Sequence, residues 1–302
     1  MLVNPRLPSQ PCPAPLGLDD PHILTQRLKT LLPFFPTIRW VERTDSTNAD
    51  LMELARADSG RLIRPWLLGA HLQDRGRGRA GRTWENRRGG HLMFSCAFDI
   101  FLPARQLATL SPLAGVAATE ALRALLPVQH SQKLTMKWPN DILWQGGKLA
   151  GILTEVTRAS TSPLSADHHV VIIGIGLNLN DARALSHALN RHVADWSEVV
   201  AEAPTLKHLC AAELTAQIAK NWYHTLNDVT AFGFQDLPKR YKQVDGLLDC
   251  PLNIIENGQV LHSGLGAGIN AHGQLLIRSA GQTQAISVGE VSVRSSTPES
   301  AP

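Results

Sequence analysis

A chain of 302 residues with 43% hydrophobic content is long enough for about two domains and too apolar to stay disordered. Its net charge of +3 (29 Lys and Arg against 26 Asp and Glu) names no polyanionic partner by itself. Cys12, Cys96, Cys210 and Cys250 lie far apart without a C-x-x-C spacing, which excludes a disulfide frame and a zinc ribbon; no uncharged apolar run reaches the ~18 residues of a membrane helix, so a soluble cytoplasmic protein is expected.

Prolines at 5, 8, 11, 13 and 15 make residues 1–20 a proline-rich, extended or disordered lead, without the apolar core of a signal peptide. A short helix is predicted from His22 to Leu32, ended by Pro33, and a strand over Ile38–Val41. Asp45-Ser46-Thr47-Asn48 then opens a helix, with Thr47 and Asp50 spaced as a capping box. A strand is expected at 66–72, a buried one at 91–98, and a helix from Ser111-Pro112. Leu134–Trp138 reads as a strand closed by Pro139-Asn140-Asp141; 142–144 and 148–156 flank a Gln-Gly-Gly turn as a hairpin, and Val170–Leu177 is a β-branched central strand. A long helix is expected over Leu206–Leu226. After Val244, short strands cut by Asn257-Gly258, Asn270-Ala271-His272-Gly273 and Ala280-Gly281 suggest a small barrel, with a boundary near Tyr241. The histidines, including His168 and His169, lack metal-ligand spacing and read as surface residues, whereas Trp138, Trp144 and Trp222 read as core.

The stretch Gln73 to Trp84 carries the chemistry. Gly76, Gly78 and Gly81 alternate with arginines, and six arginines between Arg75 and Arg88 face one acid, Glu85. That window is +5 and the rest of the chain −2, so a glycine-hinged, self-repelling loop is expected to hold a small anion. The spacing also fits G-x-G-x-x-G, but no helical period follows it, which disfavours a dinucleotide site. Nor does a helix-turn-helix pattern accompany it.

Five segments occur in order: Asp45-Ser-Thr-Asn48; Gly76-Arg-Gly-Arg-Ala-Gly-Arg-Thr-Trp84; Lys137-Trp-Pro-Asn-Asp141 with Gly147-Lys-Leu-Ala-Gly-Ile-Leu153; Gly174-Ile-Gly-Leu-Asn178; and Gly289-Glu-Val-Ser-Val-Arg294. Over residues 38 to 295 the chain closely resembles the biotin–protein ligases. The resemblance implies a mixed α/β fold of the class II synthetase-like type with a C-terminal SH3-like β-barrel. It divides the chain into a proline-rich extension (1–36), a catalytic domain (37–241) and the SH3-like domain (242–302). It further implies formation of biotinyl-AMP from biotin and ATP with Mg2+, then transfer of biotin to a lysine of the biotin carboxyl carrier protein of acetyl-CoA carboxylase.

Carried over by motif, Ser46, Thr47, Asn48 and Gln73 match positions that hold the biotin head group, and Arg77, Gly78 and Arg79 match the loop that folds over biotin and its adenylate. Lys148 matches the lysine that meets the carboxyl or phosphate oxygens; Gly76, Trp84 and Asn178 match positions near the adenylate, and Arg294 a barrel residue that approaches the nucleotide. Asp141 is read either as a turn residue or as a magnesium ligand. The residue types suit the reaction, because a carboxylate must meet an α-phosphate and fixed cations offset that repulsion. Two positions depart from the pattern: His91 stands where asparagine is usual, and Arg75 where a small residue is usual. Only 45 proline-rich residues precede Ser46, so no winged helix and no DNA binding are expected; a monomer or homodimer is. A lipoate or octanoate ligase of the same fold, or a nucleic-acid-binding regulator, are the alternatives.

Overall fold

The computed structural model of the protein describes residues 17–58, 62–159, 167–256, 259–287 and 292–295. Seven strands form the main sheet: β1 (Thr37–Thr44), β2 (Trp66–Gln73), β3 (His91–Phe101), β4 (Leu134–Lys137), β5 (Asp141–Trp144), β6 (Gly147–Arg158) and β7 (His168–Asn178). Their order is β1-β2-β3-β7-β6-β5-β4. β1 and β2 run parallel, and the other neighbours are antiparallel. The Gln145-Gly146 turn between β5 and β6 takes two positive φ values, 49° and 81°, as a tight hairpin requires.

β3 and β7 sit in the middle and are apolar on both faces because both faces are covered. On one side lie α1 (Pro21–Leu31), α3 (Leu110–Arg123) and α7 (Ala211–Phe232). Leu24 and Leu28 stand one turn apart on α1 and are fully buried, as are Leu214, Ile218 and Trp222 on the 22-residue α7. On the other side α2 (Thr47–Ala57) packs Leu51, Met52 and Ala55 onto Trp66, Leu68, Ala97 and Ile172. The remaining helices of this unit are α4 (Val128–Ser131), α5 (Ala182–Leu189) and α6 (Trp196–Glu202).

The α/β unit followed by a small β unit agrees with expectation. α8 (Leu237–Val244) leads into β8 (Pro251–Glu256), β9 (Gln259–Ile269), β10 (Leu275–Ser279), β11 (Gln282–Ile286) and β12 (Ser292–Ser295), an antiparallel sheet in the order β11-β10-β9-β8-β12. The Asn257-Gly258 turn lies outside the described residues. Buried donors fasten this unit to the first: Trp138 Nε1 donates to Gly273 O (2.9 Å) and Thr109 Oγ1 to His272 O (3.0 Å).

Several expectations are corrected. The extension drawn over 1–36 contains α1, the helix expected over 22–32: Asp20 caps it by accepting from His22 N (2.8 Å), and it buries its leucines in the main core. Each such leucine contributes about 1.5–3 kcal/mol. The long helix starts at Ala211, not Leu206; Pro204–His208 is a separate 3₁₀ turn, and extended Cys210 receives the reciprocal cap of Glu213 (Cys210 N to Glu213 Oε2, 2.8 Å). Ser46, not Thr47, caps α2, since Asp50 is engaged by the Thr44 hydroxyl. His169 is not a surface residue: β7 carries it inward to 5% exposure, whereas half-buried His168 bonds Asp99 (2.8 Å) and stacks on exposed Phe101. α5 and α6 have no counterpart in the sequence reading, although Asp195 three residues before Glu198 marks the start of α6.

Asp245 lies where the two units join, beside buried Tyr241 and bridged to Met136. Its Oδ1 accepts from Leu247 N (2.7 Å), and its buried carboxyl lies beside the Tyr241 hydroxyl. Burial raises its pKa from 3.8 to about 6, the Leu247 N–H pulling the other way. A folded pKa above the unfolded one means that stability is lost as pH rises through that window. Asp245→Asn should therefore be about 1–2 kcal/mol more stable than the parent at pH 7.5 and equal to it below pH ~4. Denaturant melts at the two pH values check this, and equal gain at both would show a different cause.

Candidate active site

The site lies on the α2 face of the sheet. Cross-strand register places Gly176 between Met93 of β3 and Gly151 of β6, and Gly174 between Ser95 and Leu153. A Cβ at Gly174 would come within 2.1 Å of Asn48 Oδ1, and one at Gly176 within 2.4 Å of the Trp84 ring. At Gly151 a Cβ would stand 3.2 Å from both Lys148 Nζ and Trp84. Three missing side chains on neighbouring strands thus cut a strip into the sheet face, where another group lies close to backbone.

One end of the strip is polar, built by the start of α2, with the Glu155 carboxylate at its edge. Ser46 accepts from Ala49 N (3.4 Å) and is 3% exposed. The Thr47 N–H donates to Gln73 Oε1 (2.8 Å), which fixes the Gln73 amide. Gln73 Nε2 then faces Met93 Sδ (3.2 Å), a weak acceptor. Ser95 Oγ donates to Asn48 Oδ1 (2.6 Å), so the Thr47 hydroxyl gives its proton to Ser95 Oγ (2.7 Å). Asn48 Nδ2 donates to Leu153 O (3.3 Å) and Glu155 Oε2 (2.9 Å). The Gln73 Nε2 donors, with only a thioether opposite them, are left for a ligand carbonyl.

The other end is cationic. Lys148 Nζ lies 2.6 Å from Asp141 Oδ1 and 5.6 Å from the centre of the Trp84 ring. Its backbone is pinned: Lys148 N donates to His192 O (3.1 Å), and Lys148 O accepts from Ala194 N and from Asn178 Nδ2 (3.0 Å each). Asn178 is 4% exposed and also donates to Ala194 O, so its amide reaches the site through Lys148. Arg79 Nη1 approaches Asn140 Oδ1 (3.4 Å); burial pulls its pKa down, Asp141 raises it and Arg82 lowers it.

The glycine–arginine loop is a small hairpin. Trp84 N donates to Gly76 O (2.9 Å), Arg77 pairs with Thr83, and Gly78 N donates to Arg82 O (2.7 Å). Ala80 and Gly81 turn it at φ 54° and 70°. Asn86 closes its base on Gln73 through two backbone bonds, 3.0 and 2.8 Å. Self-repulsion is relieved by acids from elsewhere: Arg75 pairs with Asp45 (3.7 Å), Arg77 with Glu155 (3.3 Å), Arg88 with Glu42 (2.8 Å), and Arg87 with Asp181.

Trp84 lies on the glycine strip with its Nε1 buried and unpartnered. His91, 1% exposed, meets it edge-on at 6.1 Å and accepts from Arg87 N (3.3 Å). Burial lowers His91 to about 4, so a neutral ring takes the asparagine's place at neutral pH. Arg294 belongs to β12, opposite Asn253; its side chain is outside the described set. Ser95 and Glu155 are site residues that the motifs do not name, and Asn140 lies in a motif without a role assigned to it. Ser95 is a polar position within an otherwise apolar stretch of β3, and that is its signal in the sequence.

Among the described residues no group of three His, Cys, Asp or Glu side chains could hold a metal ion. A cavity of about 310 Å³ lined by Leu18, Asp20, Pro21, His71, Arg88 and Gly89 opens on the opposite face. There His71 accepts from Trp40 Nε1 (2.9 Å), and none of the lining residues belongs to the strip.

The two β7 glycines should respond differently to alanine. Gly174→Ala meets buried Asn48 and Ser95 and should cost about 1–3 kcal/mol of stability. Gly176→Ala meets a loop tryptophan that can lift away, so the melt should barely move while trypsin cuts the loop faster. Equal destabilisation by both would contradict this division.

A family model described as the biotin/lipoate A/B protein ligase family matches residues 40–178. The biotin–[acetyl-CoA-carboxylase] ligase of Paracoccus denitrificans is 32% identical over 252 residues, 82% of this chain and 97% of that protein. The Mycobacterium tuberculosis ligase of the same name is 39% identical over 143 residues, and the chain spans 49% of its length. Among solved structures, biotin protein ligase from Aquifex aeolicus in complex with biotin and ATP is similar with a TM-score of 0.67 and 25% identity, over 87% of this chain and all of that one.

Proposed function

Since the chain belongs to the biotin/lipoate A/B protein ligase family, we propose that it is an ATP-dependent biotin–protein ligase. It makes biotinyl-AMP and pyrophosphate from biotin and ATP, then passes biotin to a lysine of the biotin carboxyl carrier protein of acetyl-CoA carboxylase. The observation that carries this reading is the strip itself, a hydrogen-bonding cluster at one end and a pinned lysine at the other. A ring with N–H donors and a carbonyl suits the first end, and a carboxylate beside a phosphate suits the second.

In the first step a carboxylate oxygen of biotin bonds to the α-phosphorus and the bond to the β-phosphate breaks. Lys148, held by three backbone bonds, keeps its charge where the two anions meet. Arg79 reaches the same end from the hairpin and closes over the adenylate, which limits its hydrolysis. In the second step the carrier's lysine amine bonds to the acyl carbon, AMP leaves, and a proton is lost from nitrogen. Magnesium fits only in part: Asp141 offers one carboxylate, already beside Lys148, so nucleotide phosphates would supply its other ligands. When bound it offsets phosphate charge. Residues 37–241 would carry the chemistry, with 242–302 as the C-terminal domain.

The cluster's donors also favour biotin over lipoate, whose dithiolane ring offers no N–H or carbonyl. The acids around the basic hairpin disfavour the nucleic-acid reading. The decisive experiment incubates the protein with ATP, magnesium and either biotin or lipoate, and measures pyrophosphate and the acyl-adenylate. Only biotin should give both.

Two variants separate the roles. Lys148→Ala should slow adenylate formation about 100-fold or more with the fold intact; unchanged pyrophosphate release would remove Lys148 from the chemistry. Arg79→Gly should still form adenylate but release it sooner, labelling bystander lysines on unrelated proteins. If it retained adenylate as long as the parent, Arg79 would be a surface charge only.

A further inference from the structure

We propose that Glu155 is a positioning and specificity-determining residue of this site. Its carboxylate sets the direction of the hydrogen-bond chain that reads the ring of the acid substrate, and it ties that chain to Arg77 of the loop. The proposal rests on the ligase reading above.

The argument starts from what a carboxylate can do. It only accepts, so the partner facing Glu155 must be a donor. Asn48 therefore turns Nδ2 toward Glu155 Oε2 (2.9 Å) and Oδ1 toward Ser95. Ser95 must then donate to Asn48, which leaves its oxygen as acceptor for the Thr47 hydroxyl. Thr47 has spent its only hydroxyl proton, so its 3.3 Å approach to Gln73 Oε1 is not a second bond. The Thr47 oxygen is left with lone pairs for an incoming N–H. The Gln73 amide, fixed by Thr47 N–H, is left with Nε2 donors for an incoming carbonyl. One acceptor beside one donor matches a cyclic urea. A charged terminus polarises such a chain along its length.

The same Oε2 accepts from Arg77 Nη2 at 3.3 Å. That pair is open to water, with side chains 43% and 26% exposed, so it is weak and a ligand can replace it. Four elements and the loop thus meet at one carboxylate oxygen: β2, α2 and β3 through the chain, β6 through Glu155 itself, and the hairpin through Arg77. A glutamine in its place has no charge and can also donate, so only the longer bond from Asn48 Nδ2 to Leu153 O (3.3 Å) is left to hold the chain's direction.

The test uses the whole chain and Glu155→Gln, which keeps size and shape. Its melt should stay within a few degrees of the parent. The KM for biotin should rise about tenfold and the KM for ATP stay level, with kcat for adenylate formation within about twofold. The preference for biotin over lipoate should fall by a similar factor. Without ligand, amide exchange over residues 76–84 should quicken. Ser95→Ala cuts the chain elsewhere, so it should raise the biotin KM without touching loop exchange. In biotin KM the double variant should add little to either single one. Parent values of biotin KM and loop exchange in Glu155→Gln would overturn the proposal, as would simple additivity in the double variant. If the parent itself shows no biotin-dependent pyrophosphate release, the ligase reading fails first, and that is read without any variant.

Discussion

Gly174, Gly176 and Gly151 sit on adjacent strands of one sheet face, and the site depends on the depth that their missing side chains leave. Asn48 lies over the first and Trp84 over the other two. A side chain at Gly174 would dislodge the hydrogen-bonded start of α2, and one at Gly176 would dislodge the hairpin. The flat strip therefore orders two unrelated segments against one rigid sheet. Rigidity matters because β3, β7 and β6 are long central strands whose opposite face is closed by α1, α3 and α7. Groups held on such strands keep their geometry better than groups on loops. Lys148 follows the same logic, since its carbonyl and amide are both tied down before its charge is used.

Much of this was legible in the sequence, for physical reasons that differ by element. Strands were clear where both faces are buried, as in Val170–Leu177, because continuous β-branched runs have few alternatives. The site motifs were legible because they join glycine to polar residues at fixed offsets. Boundaries were less so. Cys210 caps α7 through Glu213, a bond no apolar period reports, and the reading ran the helix back to Leu206. His168 and His169 looked polar enough for the surface, yet an 11-residue strand paired along β3 draws His169 in. Ser95 and Glu155 were invisible as site residues because their meaning lies in cross-strand register. Ser95 faces the α2 side by its register with Gly174 and Glu155 by its register with Ile172, and the Arg77 that Glu155 meets is some eighty residues away in sequence.

The loop's charge shows the same limit from another side. A window of +5 reads as self-repelling when only its own residues are considered. Folding brings Glu42, Asp45, Glu155 and Asp181 to it from three other segments. None of those acids is near enough in sequence to count in a local charge sum. The chain's slight acidic excess outside the loop is partly spent on holding it.

That arrangement bears on the lid role proposed for the loop. Ordering a free segment costs ~1–2 kcal/mol per residue, which would consume most of the gain from binding a small acid. A hairpin already stitched by backbone bonds and flanked by ion pairs has lost much of that freedom before ligand arrives. Exposed ion pairs contribute at most about 1 kcal/mol each, so the acids hold the loop without locking it. The inner cations behave differently. Lys148 is 18% exposed and Arg79 is partly desolvated, so an anion placed between them is screened less and held harder than any surface acid. Weak outer pairs with strong inner ones give a loop that rests near its closed position, opens at small cost, and tightens when negative charge enters the strip.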